Sequence, residues 1–244
     1  MRSFIFNFLD QLSNVKWDTK YYINVIFKAE FRKALHNNKR FKNLHKEERC
    51  FIVGNGPSLN KLDLTKLKDE ITFTVNNIMQ DRDIYESVNP NYHVFIDPLY
   101  FNLNPDVSLD KTRIELLKSI NYQNNKPVCF TSVEGYSAYQ KYGLSNHLRL
   151  YYLYQHKTLT TGFSGEIELS KNIPSSQNVV QAAIFAAIYM GFKEIYLIGC
   201  DMTSIFLTFE SNTEGEQEIT KDVHAYKYSE SEKKSMLISI NFWG

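Results

Sequence analysis

A chain of 244 residues is long enough for one sizeable α/β domain, since domains commonly hold roughly 100 to 200 residues and α/β folds often run longer. Its 43% hydrophobic and 23% charged residues exclude a disordered, collagenous or disulfide-scaffold chain. Lys plus Arg total 28 against 27 Asp plus Glu, so no global field draws the protein to nucleic acid, which is excluded as a partner.

The first segment, Met1 to Leu9, carries an Arg and a short apolar stretch, but Asp10 and Gln11 interrupt it before the roughly 7 to 15 residues of a signal core. No later segment reaches the roughly 20 apolar residues of a membrane span. Residues 1–48 read as a helical appendage, with Tyr22, Val25, Ile26 and Phe31 at helical spacing and a basic stretch from Arg32 to Lys46. That basic face has two readings: a peripheral contact with an anionic membrane, or a solvated face of a helix packed on the domain.

The core domain is expected over 49–244. Arg49 to Val53 is a short apolar run that stops at a glycine cluster, as a buried parallel strand does on entering a turn. Further strands are predicted at Ile71 to Val75, Tyr92 to Ile96, Pro127 to Thr131, Leu148 to Tyr152 and Glu194 to Gly199. The clearest helix is Asn178 to Met190, where Val179, Val180, Ala183, Ile184 and Ala187 recur at three- and four-residue steps and Gly191 supplies the stop. A helix, a glycine and a strand in that order make an α-to-β return, so a Rossmann-like, doubly wound, largely parallel sheet is expected. Between Ser132 and Gln177 the pattern loosens into a lid-like insertion, and it loosens again after Asp201. Cys50, Cys129 and Cys200 lie in apolar runs without metal-like spacing, which points to buried reduced thiols and a cytoplasmic setting.

The best functional signal is Gly54-Asn55-Gly56-Pro57-Ser58-Leu59, because glycines after a strand let backbone approach a ligand and offer N–H groups to phosphate. It lacks the third glycine of the dinucleotide fingerprint and the Lys of the P-loop, and such a turn is also a structural device. Asn76, Asn77 and Asp97 follow predicted strands, at the edge where open α/β sheets bind ligands. Their amides suit ribose or base edges, and the carboxylate suits sugar hydroxyls or Mg2+; as an alternative they are turn formers. Asp201 repeats the arrangement after the last strand, as a second metal carboxylate or a loop cap. His224, in Asp222-Val223-His224-Ala225-Tyr226, is a candidate general base that five other histidines contest.

With those residues in view, the chain resembles the bacterial lipooligosaccharide sialyltransferases of glycosyltransferase family 42, and the related domain of the archaeal 6-hydroxymethylpterin diphosphokinase and flagellin motility-associated factors. The anchors are Ile52 to Leu59, Val75-Asn76, Val94 to Pro98, and Gly191 to Asp201, within a resemblance running from Cys50 to Tyr226. It implies that Asn55, Gly56, Ser58 and Asn76 hold a CMP-sugar, that His224 takes the acceptor proton, and that no cofactor or metal is required. The implied partners are a CMP-sugar donor and a glycan or lipid-linked oligosaccharide acceptor, used in cytoplasmic lipopolysaccharide assembly at the inner membrane, with a homo-oligomer compatible with the same reading. Asp97 stands where the sialyltransferases carry Asn, and their tyrosines are missing from Met202 to Leu207. The Asp97-Pro98 and Gly199-Cys200-Asp201 pattern is more similar to the diphosphokinase branch, which implies ATP-dependent pyrophosphoryl transfer with Mg2+ at Asp97 and Asp201. The early stop at Phe242-Trp243-Gly244 adds a third expectation, a shortened, non-catalytic nucleotide-binding member.

Overall fold

The computed structural model describes residues 19–120, 126–155 and 166–201. Seven strands form one sheet: β1 (Arg49–Val53), β2 (Ile71–Val75), β3 (Tyr92–Phe95), β4 (Val128–Ser132), β5 (Arg149–Gln155), β6 (Asn172–Ile173) and β7 (Glu194–Ile198). Their spatial order is β6-β5-β4-β3-β2-β1-β7, and every neighbouring pair is parallel.

Parallel strands need crossover connections, and these are right-handed in about 98% of cases. A chain stepping one way from β1 to β5 therefore lays its connections on one face, and the return to β7 lays its helix on the other. Helices α1 (Ala29–His36), α2 (Arg82–Val88), α3 (Ser108–Ser119) and α4 (Tyr136–Lys141) contribute to one buried layer with Val53, Phe95 and Cys129. The opposite layer holds α5 (Val179–Met190) with Cys50, Ile52, Phe73 and Val94. Cys50 and Ile52 face one layer while Val53 faces the other, the two-residue alternation of a strand buried on both sides.

The return helix α5 explains its own limits. Asn178 caps it by accepting from Gln181 N–H at 3.0 Å, and Gly191 ends it in the left-handed region at φ +84°. Ala182, Ala183, Ala186 and Ala187 are fully buried, and side chains this small let the helix lie close to the sheet.

Residues 29–41 pack into both layers. Leu35 joins the first and Phe41 the second, and the buried Asn38 amide donates to the carbonyls of Tyr152 and Leu169 at 2.7 Å each. The short β6 was not anticipated, because two residues carry no readable alternation. Cys50 and Cys129 are buried and free, with thiols pushed up to about 12 by burial, while Cys200 is free and half-buried. Among the described residues, no helix is long and apolar enough to cross a membrane.

Candidate functional site

The carboxyl ends of the strands form one rim. At its β1–β7 end the glycine loop sits against the residues that follow β7. Gly54 N–H donates to the Ile198 carbonyl at 2.8 Å, Gly56 N–H to the Gly199 carbonyl at 2.7 Å, and Ser58 N–H to Asp201 Oδ2 at 2.7 Å. A Cβ on Gly54 would lie 2.3 Å from the Gly199 oxygen, and one on Gly56 2.3 Å from Asp201 Oδ2. The glycines thus have a packing reason: only a residue without Cβ lets the two loops approach this closely. Pro57 occupies the first position of the 3-10 helix Pro57–Lys61, where a missing N–H costs nothing. The Asn55 side-chain oxygen is buried and has no hydrogen-bond partner among the described residues.

The next strand end carries Asn76, held at φ +45°, a region asparagine tolerates better than other side chains. Its Nδ2 donates to Asp97 Oδ2, while its Oδ1 is buried and has no partner among the described residues. Asn77 Oδ1 accepts from the Tyr100 hydroxyl, in the one-turn helix Pro98–Phe101 that Asp97 precedes. Burial pushes the Asp97 carboxyl above its ordinary value, and the Asn76 bond opposes this. Asn76, Asn77 and Asp97 are therefore brought together, as are Gly54, Gly56, Ser58 and Asp201. His224 lies outside the described residues.

Asp97 and Asp201 follow strands three places apart in the sheet, roughly 14 Å at the usual strand spacing of about 4.8 Å. Strand placement alone does not bring these carboxylates to one ion. Among the described residues no three His, Cys, Asp or Glu side chains cluster to hold a metal. A Mg2+ ion at this edge would take much of its shell from substrate phosphates and water, as Mg2+ commonly does.

Beyond Asp97 the rim opens into a cavity of about 360 Å³. Asp97 and Pro98 line it after β3, Ser132 at the end of β4 and Glu134 after it, Tyr154 and Gln155 from β5, and Ser175 to Asn178 at the approach to α5. Connections after β3 and β4 run to one face and the one after β6 to the other, and the cavity lies at the carboxyl ends of these strands, where open sheets bind ligands. Glu134, Gln155 and Asn178 were missed in the sequence because they fall in or beside the stretch read as a loose insertion. Their signal was available, since Glu134 follows β4 much as Asp97 follows β3.

Among known proteins, the family model described as 6-hydroxymethylpterin diphosphokinase MptE-like matches residues 26–205. No curated protein matches the chain.

Proposed function

The chain belongs to the MptE-like family, and from that premise we propose that it is a transferase binding a nucleotide-activated donor along the carboxyl edge of β1 to β3 and passing the activated group to an acceptor hydroxyl. The observation that carries this reading is the pair of buried amide oxygens, Asn55 Oδ1 and Asn76 Oδ1, on neighbouring strand ends, which have no hydrogen-bond partner among the described residues. An unpaired buried acceptor costs about 1–3 kcal/mol, so each needs an N–H or O–H donor, and a ribose diol offers two. Asn76 cannot turn its amide over to relieve this without losing its bond to Asp97.

The finer reading is transfer of a sialic-acid-like sugar from a CMP-sugar to a cell-surface glycan, supported by the Ile52 to Leu59 and Gly191 to Asp201 anchors. Loss of the CMP phosphate breaks the donor bond while the acceptor oxygen forms the new one, and His224 takes the acceptor proton. His224→Ala is then expected to cut turnover roughly 100-fold with donor affinity nearly unchanged, as single-turnover kinetics beside a binding isotherm will read. Unchanged turnover removes His224 from the mechanism.

A second reading, in line with the family's description, is transfer of a diphosphoryl group to a pterin hydroxymethyl group, for which the resemblance implies ATP as donor and Mg2+. Asp97 or Asp201 would then hold a Mg2+ ion, which would offset the negative charge of the donor phosphates. A thermal-shift titration of the full chain with CMP, CDP, UDP and ATP, with and without Mg2+, separates the readings, since a ligand that binds only the folded state raises the unfolding temperature. A shift with CMP alone supports sugar transfer, and a shift with ATP only when Mg2+ is present supports pyrophosphoryl transfer. No shift with any of them removes both transferase readings.

A further inference from the structure

Strand β3 carries an imidazole where a sheet buried on both faces ordinarily carries an aliphatic side chain. His93 has no exposed surface, and Tyr85 of α2 and Phe95 pack against its ring at centroid distances of 5.7 and 5.6 Å. In the parallel register it stands beside Thr74 of β2, whose hydroxyl lies 2.7 Å from Nδ1. An apolar pair of the same shape would fill this space without burying polar atoms, so packing alone does not account for the two residues.

The account lies two residues beyond Thr74. Asn76 sits at φ +45°, a conformation that an ordinary side chain enters at a cost and keeps only where its surroundings over-determine it. Such positions gather at ligand clamps. Two tethers meet at this residue. Asp97 accepts from the side-chain Nδ2, and the His93 imidazole bonds the Asn76 backbone from within the sheet. The second tether is weaker than the bond to Thr74, since Nε2 keeps no well-aligned partner among the described residues. Asp97 thus sets where the amide points, and His93 sets the backbone from which it projects. A polar contact preorganised in this way spends little on ordering when a ligand arrives.

Building on the nucleotide-binding reading above, we propose that His93 is a positioning residue of the rim: from within the sheet it holds the Asn76 backbone in the left-handed conformation and thereby fixes where Asn76 Oδ1 meets a ribose hydroxyl. Stability and recognition then separate. Replacing both buried partners by apolar residues of similar shape, Thr74→Val with His93→Leu, is expected to leave the chain folded, with a urea midpoint near that of the parent at pH 7, while the Asn76 backbone is set free.

The test has two arms, run on the full chain and on this double variant. The first needs no ligand. Asn76→Gly and Asn76→Ala both remove the amide but differ in how readily they adopt a positive φ, so the gap between their urea midpoints reads the backbone conformation at this position. In the parent, Asn76→Gly is expected to be the more stable of the two; in the double variant the gap is expected to close or reverse. A gap that persists overturns the proposal. The second arm compares calorimetric affinities for CMP, or for ATP with Mg2+, with those for the 2′,3′-dideoxy analogue. The parent's preference for the ribonucleotide is expected to shrink about 5-fold or more in the double variant, because one acceptor no longer meets its donor. A side chain that served packing alone would weaken both compounds alike, so an unchanged preference also overturns the proposal. His93→Asn, which keeps a polar partner for Thr74 on a shorter side chain, is the second variant should the double one fail to fold, with the same outcomes expected of it. A gap that closes in a chain binding no nucleotide keeps His93 as the positioning residue of Asn76 and removes the nucleotide reading; a persistent gap in a chain that binds nucleotide does the reverse.

Discussion

Gly54→Ala is expected to destabilise the fold by about 1–3 kcal/mol, the usual cost of forcing extra volume into a filled site. The new Cβ would stand 2.3 Å from the Gly199 carbonyl oxygen and 2.9 Å from its carbon, both backbone atoms that cannot rotate away. Relief requires β1 and β7 to part where Gly54 N–H meets Ile198 O at 2.8 Å, at the exposed side of the sheet where β7 has β1 as its neighbour. Gly56→Val meets a different obstacle. Its Cβ would lie 2.3 Å from the Asp201 carboxylate and 2.7 Å from Gly199 O, so the Ser58 N–H to Asp201 bond breaks before the sheet does. Urea unfolding is the measurement: a midpoint for Gly54→Ala equal to that of the parent would show that the two loops are not in contact.

The second large effect concerns acid. His93 on β3 is completely buried, with Nδ1 2.7 Å from the Thr74 hydroxyl, and burial lowers its pKa to about 3, against a weaker opposing bond to the Asn76 backbone. An unfolded histidine titrates near 6.5, so the unfolded chain takes up a proton that the folded chain refuses. The resulting stability is present in full above about pH 6.5 and is lost as pH falls towards 3, at about 1.4 kcal/mol per unit. Between pH 7 and pH 5 the parent is expected to lose about 2 kcal/mol from this group. His93→Asn keeps a polar partner for Thr74 but cannot titrate, so its unfolding free energy is expected to start lower and to stay flatter over that interval. Parallel pH profiles for parent and variant would contradict the assignment. Glu168 adds a loss further down: burial works to raise its pKa, but bonds from Ser170, Tyr189 and Lys42 hold it at about 2, so its contribution disappears below about pH 4.5.

These two sites show what a single sequence reveals and what it hides. The strands at Arg49, Ile71, Tyr92 and Glu194 were legible because a parallel strand buried on both faces is a short unbroken apolar run. The return helix was legible because Asn178 and Gly191 punctuate it with a cap and a left-handed stop. Spatial order follows far less directly, since no residue in β7 states that it pairs with β1. That pairing gives Gly54 and Gly56 a structural reason that, from the sequence, stood only as the alternative to phosphate binding. Asn76 and Asp97 were placed on the same rim by the rule that ligands gather at strand carboxyl ends, but the bond between them is a tertiary fact. Glu134 escaped notice because a carboxylate in an apparently polar loop reads as solvated until β4 and β5 are seen to flank it.

On the reading proposed above, the amide oxygens at the ends of β1 and β2 would accept from a nucleotide. That reading rests on two buried oxygens that lack donors among the described residues. The most direct test is calorimetric binding of CMP, or of ATP with Mg2+, whichever stabilises the chain more, beside its 2′,3′-dideoxy analogue. If Asn55 Oδ1 and Asn76 Oδ1 accept from the ribose hydroxyls, the dideoxy compound is expected to bind about 10-fold more weakly or worse, since one unpaired buried acceptor already costs that much. Equal affinity for the two compounds would contradict the account.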